Sequence, residues 1–269
     1  MFCTPATHTT HIIHTNMHGL GDIFAKQELT LINGPNTLTV AAYANFFPIC
    51  FKKNSEIVGL DIDIVSQFAK KCGLKLKIVE FDAFDNIWDA PQAKKADVSV
   101  GGICPLPART KTHTTWTIPY FYVQRTVVFN KNDPIKQFPE SITREFRGTF
   151  NSTGWIDAQR LVDERAPSKR KLMMKGKTDE QDLEDLKSGK IQGLMRGSFV
   201  GAAIVKKNRD LQMVKPWDMS PKQLGIEHGE CFAFPCYDKS GVALLLSVFI
   251  GQMWDNGEMM RLAKKYDAV

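Results

Sequence analysis

Ala96-Asp-Val-Ser-Val-Gly-Gly-Ile-Cys-Pro-Leu-Pro-Ala-Arg-Thr110 is followed at once by Trp116-Thr-Ile-Pro-Tyr120. Val98 and Val100 read as a short apolar strand, and it runs into two glycines, a polar turn and one arginine. Glycine lets the backbone adopt conformations closed to other residues and approach a ligand closely. A guanidinium on the far side of such a turn suits bidentate capture of a carboxylate, which a lysine cannot match.

Working outward, the neighbouring segments supply the partners of that strand. Leu38–Ala42 reads as a first strand, and Phe46-Phe-Pro48 as a turn. Cys50-Phe51 and Ile57-Val58 flank a polar tip in the manner of a hairpin. Gly59-Leu-Asp-Ile-Asp-Ile64 opens a helix, with Asp61 or Asp63 as the expected N-cap. Ile64, Val65, Phe68, Ala69 and Cys72 follow helical spacing, and Gly73 closes the helix. Leu74–Phe81 then alternates as a strand. Strand, helix and strand complete a parallel α/β unit by residue 81.

A short helix is expected at Asn86–Lys94 and a strand at Thr126–Asn130. A second α/β unit follows, with strands at Thr149–Asn151, Leu172–Met174 and Ile191–Met195. Its helices are expected from Ile156, at Asp179–Leu186 and at Val200–Lys206. Glu230–Pro235 reads as a strand. Val242–Trp254 carries a 3.6-residue apolar pattern and breaks at Asn256-Gly257.

Composition bounds the function. The 269 residues are 43% hydrophobic and 24% charged, ordinary for a globular chain. No run of 18 apolar residues exists, so no membrane insertion is expected. The net charge of +6 is spread along the chain. Its densest stretch, Ser168–Lys177, belongs to no nucleic-acid module and reads as a solvated surface. Cysteines at 3, 50, 72, 104, 231 and 236 form no CxxC and no metal-type spacing. No metal or other cofactor is expected. Six free thiols would be unusual in an oxidising compartment. Residues 1–36 carry four histidines among threonines and no basic–apolar–small signal pattern, and read as an unstructured leader.

The ordered series of segments resembles the type II periplasmic solute-binding proteins, in the polar-amino-acid (family 3) branch of ABC-transporter substrate-binding proteins. The resemblance spans roughly residues 38–266. It rests on the Leu38–Phe51 opening, Gly59–Ile64 with Leu60 at the usual aromatic position, and Phe81-Asp to Trp88. Gly102 to Arg109, Trp116 to Tyr120, Leu186–Gly193 and Asp255–Gly257 complete it. It implies an α/β fold of two lobes, with a ligand cleft between them and a two-strand hinge. Lobe one is expected at 38–120 plus 228–269, and lobe two at 121–227.

What the resemblance implies for the site is specific. Arg109 would grip the carboxylate, with Gly102 and Cys104 lining the ligand's other side. Tyr43, Phe46 and Phe84 would contact its side chain. Trp155 would form the second-lobe wall, and Arg196 would face the cleft. The acid that pairs with an α-ammonium falls at Gly197 here. Either another acid compensates (Asp82, Asp85 or Glu227) or the ligand has no ammonium. The implied role is capture of an amino acid or related small carboxylate by a non-enzymatic monomer that hands it to an ABC-transporter permease. The resemblance implies a periplasmic home, while the missing signal pattern leaves a cytosolic or secreted binding module open. A cyclohexadienyl-dehydratase-like enzyme is the other alternative, with Glu227 or His228 as general acid.

Overall fold

A computed structural model describes Phe24, residues 28–219, Gly225 and residues 230–267. Cys3, the four histidines of residues 1–36, Glu227 and His228 lie outside the described residues. Of residues 1–36, read from sequence as an unstructured leader, the described part packs on the first lobe: Phe24 and Leu31 are buried, Thr30 N–H donates to the Ser240 carbonyl and Ile32 N–H to Asp97 Oδ1.

Two five-stranded sheets are built on one plan. In the first lobe the order is Lys75–Glu80, Thr37–Ala42, Val98–Val100, Pro235–Tyr237, Thr114–Trp116. The first three run parallel, and Pro235–Tyr237 is antiparallel to both its neighbours. In the second lobe the order is Met173–Lys175, Phe146–Gly148, Gly193–Gly197, Arg125–Asn130, Leu211–Met213. Again three strands are parallel, and the fourth is antiparallel to its neighbours. Each sheet therefore presents the ends of its parallel strands toward one edge, where open α/β sheets take ligands.

The lobes are joined by two crossing segments. Phe121–Tyr122 pairs antiparallel with Cys231–Phe232. The pairing extends on both sides, with Val123 N–H donating to the Glu230 carbonyl and Tyr120 N–H to the Phe232 carbonyl. The segment read from sequence as one strand at Glu230–Pro235 is thus two, a hinge strand and a sheet strand. The first-lobe core gathers Leu38, Val40, Ile64 and Phe68 against Leu245, Leu246 and Ile250 of the helix Val242–Asp255. The second gathers Val127, Phe146, Leu161, Val162 and Met195. Among the described residues, no helix is long and apolar enough to cross a membrane.

The helix Leu60–Lys71 differs from expectation at its start. Neither Asp61 nor Asp63 is its N-cap; Gly59 is, without a side-chain bond. Gly59 has φ +136°, and a Cβ there would stand 2.3 Å from the Ile49 carbonyl oxygen. The preceding turn supplies the acceptors instead: Leu60 N–H donates to the Pro48 carbonyl and Asp61 N–H to that of Ile49. Asp61 is thereby released to a different task. Its Oδ2 accepts from Gly101 N–H at 2.8 Å and Gly102 N–H at 3.0 Å, and its Oδ1 accepts from the Tyr120 hydroxyl at 2.6 Å. The helix expected at Asn86–Lys94 is only a 3-10 turn, Ile87–Asp89, entered through Asn86 at φ +63°.

Asp61 is wholly buried, and burial raises its carboxyl from 3.8 to about 6 against the lowering effect of those three bonds. The folded state therefore holds this proton more tightly than the unfolded chain does. Its contribution to stability is present below about pH 4 and is lost as pH rises to about 6. The shift corresponds to about 3 kcal/mol. Asp61→Asn removes this titration. The stability of the wild type relative to the variant, measured by denaturant unfolding, should fall by about that amount between pH 4 and 6.5. A pH-independent difference would refute the assignment.

Candidate functional site

The candidate site lies between the lobes and is assembled from both. On the first-lobe side, the strand Val98–Val100 delivers Gly101 and Gly102 at φ +132° and +66°. Gly102 backs onto an aromatic ring: a Cβ there would meet Phe46 Cε1 at 2.5 Å. Phe46 stands edge-on to Phe232 of the hinge, and Tyr43 edge-on to Phe84. These rings are held by the turn after the first strand and by the Phe81–Asp85 loop.

Arg109 closes this side. It is 3% exposed, and its guanidinium lies 4.3 Å from the Trp88 ring centroid and 5.5 Å from that of Phe84. Nη1 donates to the Cys104 carbonyl at 3.0 Å, and Nη2 reaches across the cleft to the Asn151 carbonyl at 2.7 Å. Both acceptors are neutral, and Arg109 makes no ion pair among the described residues. Burial pulls its guanidinium down to about 10.

On the second-lobe side, the helix Thr153–Arg165 begins at the cleft. Ser152 is its N-cap, its Oγ accepting from Trp155 N–H at 3.1 Å. Thr153 and Gly154 follow on the cleft wall. Arg125 lies beside them, 4% exposed. Its Nη2 contacts the Thr153 hydroxyl and the carboxylate of the fully buried Glu230 side chain, and Thr153 in turn donates to Glu230. Its Nε points at Met219 Sδ, 3.3 Å away. Burial lowers this guanidinium to about 9. Arg196, at the end of the strand Gly193–Gly197, donates from Nη1 to the Met195 carbonyl and from Nη2 to Asp179 at 3.1 Å, with Asp182 at 3.6 Å.

These walls enclose a cavity of about 30 Å³, room for a water or two. A second cavity of about 160 Å³ adjoins it through Tyr43, Phe84 and Thr149, and lies between the Asp82–Asp85 loop and residues 175–182. The cleft is shut by direct bonds between the lobes. Asp179 Oδ2 accepts from Phe47 N–H at 3.1 Å, and Asp179 N–H donates to Asn45 Oδ1 at 3.0 Å. Asn151 Nδ2 donates to Asp85 Oδ1 at 2.7 Å, beside the Arg109 bond to the same residue.

Of the residues singled out from sequence, Tyr43, Phe46, Phe84, Gly102 and Arg196 line the smaller cavity. Arg109 sits behind Phe84, covered by the Asn151 carbonyl. Cys104 is fully buried behind the loop with Leu106 and Met219, and offers its carbonyl to Arg109 rather than its thiol to the cleft. Trp155 turns into the second-lobe core because the helix start places its ring over Gly148, whose Cβ would meet Trp155 Cε3 at 3.1 Å. The wall assigned to Trp155 is formed by Thr153 and Gly154. Gly197 carries no acid, and Val123 Cγ1 occupies the space a side chain there would need. Of the acids named as substitutes, Asp82 and Asp85 line the larger cavity. Sequence reasoning did not single out Arg125, which precedes the strand expected at Thr126–Asn130. A lone cation at the head of the apolar run Thr126–Phe129 was the available signal. No group of His, Cys, Asp and Glu suited to a metal occurs among the described residues.

Residues 38–268 match the family model of the bacterial extracellular solute-binding proteins, family 3. The arginine-binding extracellular protein ArtP of Bacillus subtilis (strain 168) is 23% identical over 239 residues, 87% of each chain. A probable amino-acid ABC transporter-binding protein of Haemophilus influenzae is 27% identical over 221 residues, 81% of this chain and 80% of that one. Among solved structures, an amino acid ABC transporter substrate-binding protein from Streptococcus pneumoniae, bound to L-arginine, superposes with a TM-score of 0.72. The two are 21% identical, over 88% of this chain and 96% of that one.

Asp179 engages Asn45, Phe47 and Arg196 at once, so it is the principal bolt of the closed cleft. Asp179→Ala should shift the unliganded protein toward open forms. By small-angle X-ray scattering its radius of gyration should exceed that of the wild type, for which a compact chain of this length implies about 18 Å. An unchanged radius would show that the bolt lies elsewhere.

Proposed function

The chain belongs to the bacterial extracellular solute-binding proteins, family 3, and from that premise we propose that its solute is an amino acid or related small carboxylate, captured between the lobes. Lobe one is taken as residues 38–120 and 228–269, and lobe two as 121–227. Members of the family work outside the cytoplasm, and the proposal places this chain there too, as a monomer that presents its closed, loaded form to an ABC-transporter permease. The buried state of Cys50, Cys104, Cys231 and Cys236 is compatible with that setting, because a thiol kept from solvent is inert.

The observation that carries the reading is Arg109. A buried cation whose acceptors among the described residues are two carbonyls is expensive, and an anion brought beside it offsets that cost. Trp88 and Phe84 hold the guanidinium plane from one side, so its donors have a fixed direction. The Asn151 carbonyl that covers it belongs to the opposite lobe, so opening the hinge bares the group for an incoming carboxylate. The Thr153–Arg165 helix adds its N-terminal end, which favours negative charge.

A solute held only by the folded form raises the melting temperature, and closure around it changes the surroundings of Trp88. A thermal-shift and tryptophan-fluorescence screen across amino acids and small carboxylates should return a carboxylate. Charge-assisted hydrogen bonds contribute roughly 1.5–3 kcal/mol each. Arg109→Ala should therefore weaken that hit about 10- to 100-fold, with Arg109→Lys in between. If amines lacking a carboxylate are the only hits, the reading fails.

A further inference from the structure

We propose that the solute carries two anionic groups and no ammonium, the class of small dicarboxylates; this rests on the cleft being a carboxylate site.

The charged side chains on the wall of the smaller cavity, among the described residues, are Arg125 and Arg196. Each is 4% exposed, and each keeps an atom free. Arg196 Nε is buried without a hydrogen-bond partner. Arg125 Nη1 makes no hydrogen bond among the described residues, and it points at two glycines. A Cβ on Gly154 would stand 3.4 Å from it and one on Gly197 3.6 Å. Neither glycine has a side chain to screen this nitrogen from the cavity. The acids that neutralise the two arginines engage them elsewhere. Glu230 takes Arg125 Nη2, and Asp179 takes Arg196 Nη2. None of these acids lines the smaller cavity.

The remaining polar groups of the wall act in the same sense. Arg125 stands next to the helix start at Thr153 and Gly154 and forms one cationic pole there. Arg196, from the neighbouring strand, forms a second, with Asp179 and Asp182 on its Nη2. Two separate poles of unspent N–H donors call for two anionic groups on one solute. An ammonium placed among them would meet like charge, and no carboxylate on the wall would compensate its desolvation.

The larger cavity offers Asp82, Asp85, Asp179 and Asp182, and all but Asp82 are committed. Asp85 accepts from Asn151. Asp179 is bonded to Phe47 and Arg196. Asp182 accepts from Arg147 and from Lys177 N–H. Lys175 and Lys177 share the same wall. Among the described residues, a cationic tail would find only Asp82 uncommitted there, beside Lys175 and Lys177; a second carboxylate has Arg196 waiting in the smaller cavity.

The test uses the intact wild-type chain, unfolded and refolded to strip any co-purifying solute. Calorimetric titration compares succinate and glutarate with butyrate, L-glutamate, L-glutamine and L-arginine. The expected result is a dicarboxylate binding about tenfold or more tighter than butyrate and than any of the amino acids, a gap of about 1.4 kcal/mol. In Arg196→Gln, its folding checked by thermal unfolding, the ratio of dicarboxylate to monocarboxylate affinity should collapse toward one. If L-arginine or L-glutamine binds tightest, the dicarboxylate inference is overturned while the carboxylate reading survives. If no carboxylate of any kind binds, both are overturned. A ratio unchanged in Arg196→Gln also overturns it.

Discussion

The architecture depends on one buried carboxylate that joins three parts of the first lobe. Asp61 belongs to the first turn of a helix, accepts from the backbone of Gly101 and Gly102 in the cleft loop, and accepts from Tyr120 just before the hinge. Taking that charge out of water is costly, as the carboxyl's rise to about 6 records, and three donors offset the cost only in one geometry. The two glycines can meet that geometry because their φ angles are closed to other residues. Once the loop is pinned, Gly102 lies against Phe46 and the chain beyond it turns to bring Arg109 onto Trp88. The Tyr120 ring, stacked on Phe234 at 4.4 Å, transfers the same constraint to both crossing strands.

A pinned first lobe makes the motion of the second meaningful. The hinge is a short ribbon, and among the described residues the contacts that shut the cleft include hydrogen bonds of Asn45, Phe47, Asp85 and Arg109 with Asn151 and Asp179, the Lys206–Asp267 ion pair and Lys207 over the Phe47 ring. A typical intramolecular hydrogen bond contributes a net 0.5–1.5 kcal/mol and an exposed ion pair about 0–1 kcal/mol, so no single polar contact holds the closed form. Hinge closure of this kind lets a solute enter an open cleft and be sealed by the returning lobe.

Much of this was legible in the sequence, and the failures share a cause. Periodicity located the parallel strands of the first lobe and the long helices, because Val98 and Val100, or Leu245, Leu246 and Ile250, bury one face against a large core, while the second-lobe strand expected at Thr149–Asn151 lies at Phe146–Gly148 instead. The short strands at Thr114–Trp116 and Leu211–Met213 went unread, since three residues rich in polar side chains carry no period. The N-cap was misplaced from Gly59 to an aspartate because the acceptors that satisfy the helix start come from the turn at Pro48 and Ile49. In the site, the glycines, the aromatics and both Arg109 and Arg196 were visible as types in a motif. Arg125 was not, because its meaning comes from Glu230, more than a hundred residues away. Trp155 looked like a wall until the glycine at 148 showed where its ring fits.

The distribution of charge around the cavity explains how such a site survives empty. Three buried guanidiniums with no acid nearby would oppose folding, and buried ion pairs roughly break even against their desolvation. Glu230 and Asp179 supply that compensation at the outer nitrogens of Arg125 and Arg196, so two of the cations are affordable without a solute. Arg109 is left to neutral carbonyls, one of them on the moving lobe. The uncompensated charge is thus concentrated where closure covers it. On the proposed reading, a solute that brings negative charge stabilises the shut form, because without one Arg109 stays buried with two neutral carbonyls as its described acceptors.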